Sequence, residues 1–262
     1  MSLHVAPGQV HAVVGGNGAG KSTLLRMLCG LLPPSSGDVL VAGQDTRQHS
    51  PAELARYVGT ALQNPDEQIT ERTVEAEIAF PLRQRQHRRS GWFRREKVLS
   101  DEQIAESVER ARQLVGLPGE LLESDPTRLS KGHRKLVAIA EALVLEPAVL
   151  ILDEPRVSLD APARSALRHL LHQLRDQGTA VVLVEHDLDL VAETADTITL
   201  LEQGHVLATG SPRDVFGAGA VDTLARTALL PPRAARVAAQ LGIEAYSVAE
   251  LAAQLEPVLQ EA

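Results

Sequence analysis

Apolar runs alternate with amphipathic stretches along the chain, and this pattern predicts an α/β fold with a mainly parallel sheet. Runs rich in valine, leucine and isoleucine predict buried strands at 10–14, 148–152 and 179–184. Amphipathic patterns predict helices at 22–29, after Ser130 and at 162–177. A strand at 38–42 with a turn at 43–45, and a hairpin joining 197–201 to 206–208, predict antiparallel β elements.

The stretch Gly15 to Thr23, between the first strand and the first helix, matches the phosphate-binding loop G-x-x-x-x-G-K-[ST] in full. Backbone N–H groups at a helix N-terminus can surround a polyphosphate, and the helix dipole favours its charge. Lys21 can reach the outer phosphates and Ser22 can coordinate Mg²⁺. The flanking strand and helix favour a P-loop nucleotide site over a glycine-rich turn. The predicted binding residues are Gly15, Asn17, Gly18, Gly20, Lys21, Ser22 and Thr23.

Polar residues follow the strands predicted at 148–152 and 179–184 and an extended stretch predicted at 57–62. Asp153 and Glu154 follow 148–152, where a parallel sheet presents functional groups; Asp153 can hold Mg²⁺ and Glu154 can polarise an attacking water. A strand followed by two acids is usually a turn, but the upstream phosphate loop favours catalysis. Gln63 is placed to sense a site at its strand end, and His186 to contact a γ-phosphate or orient the water. Taken alone, each of these two is more simply a surface or strand-end residue.

The region 71–132 has helical patterns and no convincing strand until 148, which predicts an inserted helical subdomain. Within it, the basic segment 83–97 carries Trp92 and Phe93; an interface with anionic lipid or a partner protein and a solvated connection are both open interpretations. Ser130 is a good N-cap for the helix that follows. That helix start can face a second phosphate or can simply be capped.

Bulk composition restricts the function classes. The chain has 262 residues, 44% of them hydrophobic, so it can bury a sizeable core. A formal net charge of -8 argues against nucleic-acid binding as the main activity. No apolar run approaches the length of a transmembrane helix, and the start lacks the features of a signal peptide. We therefore expect a cytosolic protein.

The order of these motifs, from about Leu3 to about Gly210, resembles the ATPase subunit of ABC transporters. The set comprises the phosphate loop, Gln63, Leu-Ser-x-Gly at 129–132, Asp153-Glu154, Ser-Leu-Asp at 158–160 and His186. Within that family, 63–66 with 73–80, and the tail segments 211–216 and 248–251, are similar to the energy-coupling-factor importers for cobalt, nickel and vitamins.

The resemblance implies one ABC ATPase domain over 1–262. Its nucleotide-binding core would comprise 1–70 and 148–210, with a helical subdomain at 71–147 and a C-terminal helical extension at 211–262. Two such subunits, identical or different, would enclose two ATP molecules. Each ATP would lie between the phosphate loop of one subunit and Ser130 and Gly132 of the other, and Asp160 would lie at the interface between the subunits. Ser22, Gln63 and Asp153 would hold Mg²⁺, Glu154 would act on water and His186 would sense the γ-phosphate.

The same resemblance implies a peripheral protein on the cytoplasmic face of the membrane, which energises an integral membrane transporter subunit. Three features depart from the family pattern: Leu-Ser-Lys-Gly-His replaces Leu-Ser-Gly-Gly-Gln, Arg156-Val157 replace small residues, and the strand with the adenine-stacking aromatic is absent. A catalytically weakened or regulatory cassette in a heterodimer is therefore the alternative function. A soluble non-transport ABC ATPase fits the acidic net charge poorly.

Overall fold

The computed structural model describes residues 1–87, 99–217, 223, 224, 227 and 229–260, which belong to two compact units. The first unit comprises Met1–Leu32 and Leu171–Ala262, and the second comprises Pro33–Leu170. The strands are β1 (Val10–Gly15), β2 (Leu40–Val41), β3 (Gln44–Asp45), β4 (Val58–Ala61), β5 (Val149–Asp153), β6 (Ala180–Val184), β7 (Thr197–Glu202) and β8 (His205–Gly210).

The helices follow the amphipathic patterns of the sequence. They are α1 (Lys21–Leu28), α2 (Pro51–Leu54), α3 (Val74–His87), α4 (Asp101–Leu114), α5 (Lys131–Leu143), α6 (Ala161–Asp176), α7 (Leu188–Thr194), α8 (Pro212–Phe216), α9 (Arg233–Leu241) and α10 (Val248–Gln260). Short 3-10 turns occupy Pro65–Glu67, Gly119–Leu121 and Pro126–Arg128. Within the described ranges, none of these helices has both the length and the apolar character needed to cross a bilayer.

In the first unit, β1 lies between two parallel neighbours. It pairs with β6, where Val13 is opposite Val184, and with β7, where Val13 is opposite Thr199. β8 continues this sheet as the antiparallel partner of β7. Every residue of β1 and β6 is buried, as expected for strands covered on both faces. The uninterrupted apolar runs at 10–14 and 179–184 therefore predicted these strands correctly.

The core of the first unit continues into the C-terminal part of the chain. Leu188 and Val191 of α7, Ile198 and Leu200 of β7, and Phe216 of α8 belong to one buried cluster. Tyr246, which precedes α10, packs against it. This part of the chain also contains the helices α9 and α10.

In the second unit, β4 and β5 pair in parallel, with Ala61 opposite Leu152. α5 is the most buried helix here and contacts β4, α3 and α4. Between β4 and β5 the described residues contain helices and no strand, as the sequence predicted. Residues 88–97 of the basic segment, including Trp92 and Phe93, lie outside the described residues, so the interface interpretation stays a prediction.

The small antiparallel element is shorter than predicted. The sequence predicted a strand at 38–42 and a turn at 43–45, whereas Leu40–Val41 pairs with Gln44–Asp45. The turn is formed by Ala42 and Gly43, which both have positive φ. The prediction of a turn at Gln44-Asp45 was therefore wrong, because a two-residue hairpin turn leaves the next two residues free to pair.

Candidate nucleotide site

The phosphate loop connects β1 to α1 in the first unit. Gly20 occupies the N-cap of α1 with a left-handed φ of 103° and supplies no side-chain cap. An α-helix leaves its first four N–H groups without intrahelical acceptors. The start of α1 therefore presents donors and the positive end of a helix dipole, which together suit a phosphate group.

Close packing fixes the path of the loop. A Cβ atom added to Gly15 would lie 2.5 Å from the Leu201 carbonyl oxygen and 2.9 Å from the Ala19 Cβ, so only glycine fits. Lys21 folds over the loop, and its Nζ donates to the carbonyls of Gly15 at 2.8 Å and Gly16 at 3.1 Å. The loop thus holds an ammonium group beside the donors at the start of α1. Asn17, Gly18, Ser22 and Thr23 are all exposed along this stretch.

Glu185 and His186 follow β6, which is the parallel neighbour of β1. The carboxyl ends of β6 and β1 therefore meet at one edge, and the structure brings His186 to the edge from which the phosphate loop leaves. His186 is exposed, whereas Glu185 is 1% exposed. The Glu185 Oε2 accepts from the backbone N–H groups of His186 and Asp187 at 3.2 and 3.3 Å. A buried carboxylate thus fixes the backbone that presents His186.

In the second unit, Gln63, Asp153 and Glu154 lie at the carboxyl ends of β4 and β5. The Gln63 Nε2 donates to the Glu154 Oε2 at 2.8 Å, so the structure brings these two predicted residues into direct contact. Glu154 adopts a left-handed φ of 45° immediately after β5.

The Leu-Ser-x-Gly segment lies at the start of α5. The Ser130 side chain caps this helix by accepting from the His133 N–H at 3.1 Å, which confirms the predicted cap. A Cβ added to Gly132 would lie 2.8 Å from the Ser158 carbonyl oxygen, so the two segments approach too closely for a side chain there. Asp160, two residues after Ser158, is exposed and accepts from the Ala163 N–H at 2.9 Å near the start of α6.

Three polar residues that support these loops were missed by sequence reasoning. Lys135 on α5 donates to the carbonyls of Leu62, Gln63 and Asp153. Gln68 accepts from the Leu62 N–H at 2.8 Å and donates to the Thr60 carbonyl at 2.9 Å. Glu185 supports His186 as described above. For Lys135, the signal available in the sequence was a single lysine on the buried face of an amphipathic helix.

The groups of each unit are of the kinds that bind a nucleotide and magnesium. In the first unit, the loop supplies N–H donors, one ammonium group and the Ser22 hydroxyl. In the second unit, Gln63 and Asp153 carry oxygen atoms of the kind that Mg²⁺ prefers as ligands. Within the described residues, no cluster of three or more histidine, cysteine, aspartate and glutamate side chains could hold a metal by itself. Mg²⁺ commonly relies on one or two carboxylates together with waters and substrate phosphates, which suits this sparse set.

Comparison with known proteins identifies the family. A family model described as ABC transporter matches residues 1–157. The chain is 42% identical over 207 residues to an energy-coupling factor transporter ATP-binding protein from Methanoculleus marisnigri, covering 78% of this chain and 70% of that one. It therefore belongs to the ABC transporter ATP-binding family, as the motif order predicted.

Two solved structures have a similar fold. One is cbiO1 from Clostridium perfringens, described as part of the ABC transporter complex cbiONQ; it has a TM-score of 0.71, 30% identity, and covers 93% of this chain and 91% of that one. The other is the ATP-binding cassette MJ0796, solved as a dimer in a post-hydrolysis state with ADP and phosphate. It has a TM-score of 0.70, 25% identity, and covers 80% of this chain and 88% of that one. The predicted ABC ATPase fold is thereby confirmed.

Proposed function

We propose that this chain is the ATP-binding and ATP-hydrolysing subunit of a membrane importer of the energy-coupling-factor type. The observation that carries the proposal is the phosphate loop, in which packing admits only glycine at Gly15 and Lys21 is held beside the start of α1. Relatives named as energy-coupling factor transporter ATP-binding proteins and the cbiO1 structure support the importer type. The transported substrate would be selected by the membrane subunits.

Residues of the phosphate loop would hold the triphosphate. Gly15, Asn17, Gly18, Gly20 and Thr23 line the path of the loop, Lys21 supplies the cation, and the Ser22 hydroxyl supplies one magnesium ligand. In this role Lys21 would exchange its carbonyl acceptors for phosphate oxygens, which are stronger acceptors because they are charged.

Gln63 and Asp153 would complete the magnesium shell with Ser22. Bound Mg²⁺ would neutralise charge on the β- and γ-phosphates. Glu154 would accept a proton from the attacking water, and its hydrogen bond to Gln63 would keep the carboxylate oriented. His186, presented on the backbone fixed by Glu185, would contact the γ-phosphate.

A second ABC ATPase subunit, identical or different, would complete each nucleotide site. Ser130 and Gly132 at the start of α5, together with Asp160, would face the nucleotide held by the partner's phosphate loop. The dimeric MJ0796 cassette supports this arrangement. The closing and opening of the dimer would drive conformational change in an integral membrane subunit. The protein would therefore lie peripherally at the cytoplasmic face of the membrane.

ATP-dependent association tests this proposal directly. In the Glu154→Gln variant, we expect sedimentation to show a dimer with Mg²⁺-ATP and dissociation with Mg²⁺-ADP, because bound ATP persists when water is not activated. Wild-type protein would dimerise only transiently under the same conditions. Failure of Glu154→Gln to bind ATP would contradict the proposal. An unchanged oligomeric state with ATP and ADP would contradict the pairing of two identical subunits.

A second candidate function is a weakened or regulatory cassette that renders one site of a heterodimer inert. It is favoured by Lys131, an exposed residue that stands in the Leu-Ser-x-Gly segment, and by His133 two residues later. The double substitution Lys131→Gly and His133→Gln should then raise ATP hydrolysis in a mixed dimer. An unchanged rate would count against the regulatory role.

A further inference from the structure

Lys135 is a lysine buried in the second unit, with 1% of its surface exposed. Its Nζ donates to the carbonyl oxygens of Leu62 and Gln63, both at 2.8 Å, and of Asp153 at 3.1 Å. An ammonium group has three N–H donors, and three carbonyls receive them here. One side chain therefore connects α5 to the ends of both β4 and β5.

These three carbonyls lie at the ends of two neighbouring strands. β4 and β5 run in parallel, and both strands end where Lys135 reaches them, so the lysine bridges the points at which two strands become loops. Burying an ammonium group is costly unless hydrogen bonds compensate for its lost hydration. An apolar side chain would fill the same volume without that cost. Lys135 therefore orders these two strand ends through its hydrogen bonds, which an apolar side chain of the same volume could not do.

Arg134, the preceding residue on α5, forms a second connection to the same loop. Its Nε lies 3.0 Å from the Asp66 Oδ1, in the short 3-10 turn that follows Gln63. Its Nη1 also donates to the Thr127 carbonyl at 2.9 Å. Two consecutive cations thus hold the loop at 62–66 against the first turns of α5. The same turns begin with the Leu-Ser-x-Gly segment.

We propose that Lys135 is a positioning residue for ATP hydrolysis. It fixes the backbones of Gln63 and Asp153 relative to each other and to the start of α5. A displacement of α5, such as one imposed by a second subunit at Ser130 and Gly132, is thereby transmitted to the two proposed magnesium ligands and to Glu154. This role rests on the proposed ATPase function, because it acts through Gln63, Asp153 and Glu154 and not on nucleotide directly.

The test uses Lys135→Met, which keeps the approximate length of the side chain and removes all three donors. We expect turnover to fall about tenfold or more, and the Mg²⁺ concentration for half-maximal turnover to rise about tenfold, because the magnesium ligands lose their fixed spacing. The dissociation constant for ATP measured in EDTA should stay within about twofold, since the phosphate loop is unchanged.

The matched control is Ile139→Ala, a substitution at a fully buried position of the same helix that touches neither strand end through a hydrogen bond. We expect it to lower the melting temperature while leaving the magnesium midpoint unchanged. If Lys135→Met does not fold, Lys135→Gln replaces it; two remaining N–H donors should leave a magnesium shift of about threefold.

The outcomes separate this inference from the proposed function. An active wild type combined with an unshifted magnesium midpoint in the folded Lys135 variant would overturn the positioning role, whatever happens to the melting temperature. A wild type that neither binds nor hydrolyses Mg²⁺-ATP would overturn the proposed function, and the positioning role with it. A magnesium shift in the Lys135 variant that Ile139→Ala does not reproduce would support the inference.

Discussion

The side-chain amide of Gln63 donates to the carboxylate of Glu154 across 2.8 Å, although the two residues are 91 positions apart in the chain. The contact joins the segments that follow β4 and β5, which are parallel neighbours, and Glu154 has a left-handed φ of 45° there. It joins the residue proposed to ligate magnesium to the residue proposed to activate water. A change in the position of Gln63 would therefore alter a hydrogen bond of the Glu154 carboxylate.

Glu154→Gln should separate nucleotide binding from chemistry. The amide keeps the size of the side chain but cannot accept a proton from water, so we expect turnover to fall by about 100-fold or more. The dissociation constant for ATP should change by less than about threefold. Steady-state phosphate release and equilibrium binding of a fluorescent ATP analogue measure the two quantities.

The matched control for that variant is Glu146→Gln, which also removes a carboxylate from a residue with positive φ. Glu146 is exposed and pairs only with Arg110 among the ion pairs described for it, 3.2 Å away on the surface. Its replacement should leave turnover unchanged. Equal activity of Glu154→Gln and wild type would remove Glu154 from the mechanism.

Lys21→Ala should weaken nucleotide binding itself. The substitution removes the ammonium group beside the start of α1, and we expect the dissociation constant for ATP to rise about 10- to 100-fold, as for the loss of a charge-assisted hydrogen bond. Arg26→Ala is the control, because it removes an exposed cation from the same helix. Equal loss of affinity in both variants would indicate a general electrostatic effect and not a role for Lys21.

The fold was predictable where local sequence decides structure. The apolar runs predicted β1, β5 and β6, Ser130 predicted the start of α5, and the hairpin predicted between 197–201 and 206–208 is formed by β7 and β8. The phosphate loop was predictable for the same reason, since its residues are contiguous.

The supporting residues were not predictable, because their partners are distant in sequence. Lys135 and Leu62 are 73 positions apart, and only the pairing of β4 with β5 makes one lysine able to reach both strand ends. Glu185 is adjacent to His186 in the sequence, but the sequence does not show that its carboxylate is buried and accepts from backbone N–H groups. Hydrophobic periodicity shows which face of an element is buried, but it does not show which hydrogen-bond acceptors lie around a polar side chain on that face.

Glu185 should act through His186. We expect His186→Ala to lower turnover about 10- to 100-fold, and Glu185→Gln to lower it less, because an uncharged acceptor binds the two backbone N–H groups more weakly. Adding Glu185→Gln to His186→Ala should produce little further loss, since interacting residues are not additive. His205→Ala, at an exposed histidine of β8, should have wild-type activity. Fully additive losses in the double variant would contradict the positioning role of Glu185.

The contribution of Glu141, a carboxyl group on α5, to protein stability should decrease as the pH rises above about 5. Burial, with a smaller contribution from the charge of Glu77, raises the pKa of Glu141 from an ordinary value of 4.5 to about 8. Between these values the folded protein holds a proton on Glu141 that the unfolded chain has released, so the contribution of this group to the free energy of unfolding falls with rising pH.

Glu141→Gln should remove this contribution. The variant should show a smaller loss of melting temperature between pH 5 and pH 8 than the wild type does, and it should be the more stable of the two at pH 8. Glu106→Gln, at an exposed position of α4, should follow the wild-type profile. Parallel profiles for wild type and Glu141→Gln would contradict the raised pKa.

The most direct test of the importer function is purification of the tagged chain from detergent-solubilised membranes of its own host, followed by identification of the proteins that accompany it. We expect a multi-spanning membrane protein in the purified complex, Mg²⁺-dependent ATP hydrolysis by that complex, and loss of hydrolysis when the tagged chain carries Glu154→Gln. Recovery of the chain without any membrane protein, or hydrolysis that persists with Glu154→Gln, would contradict the importer function.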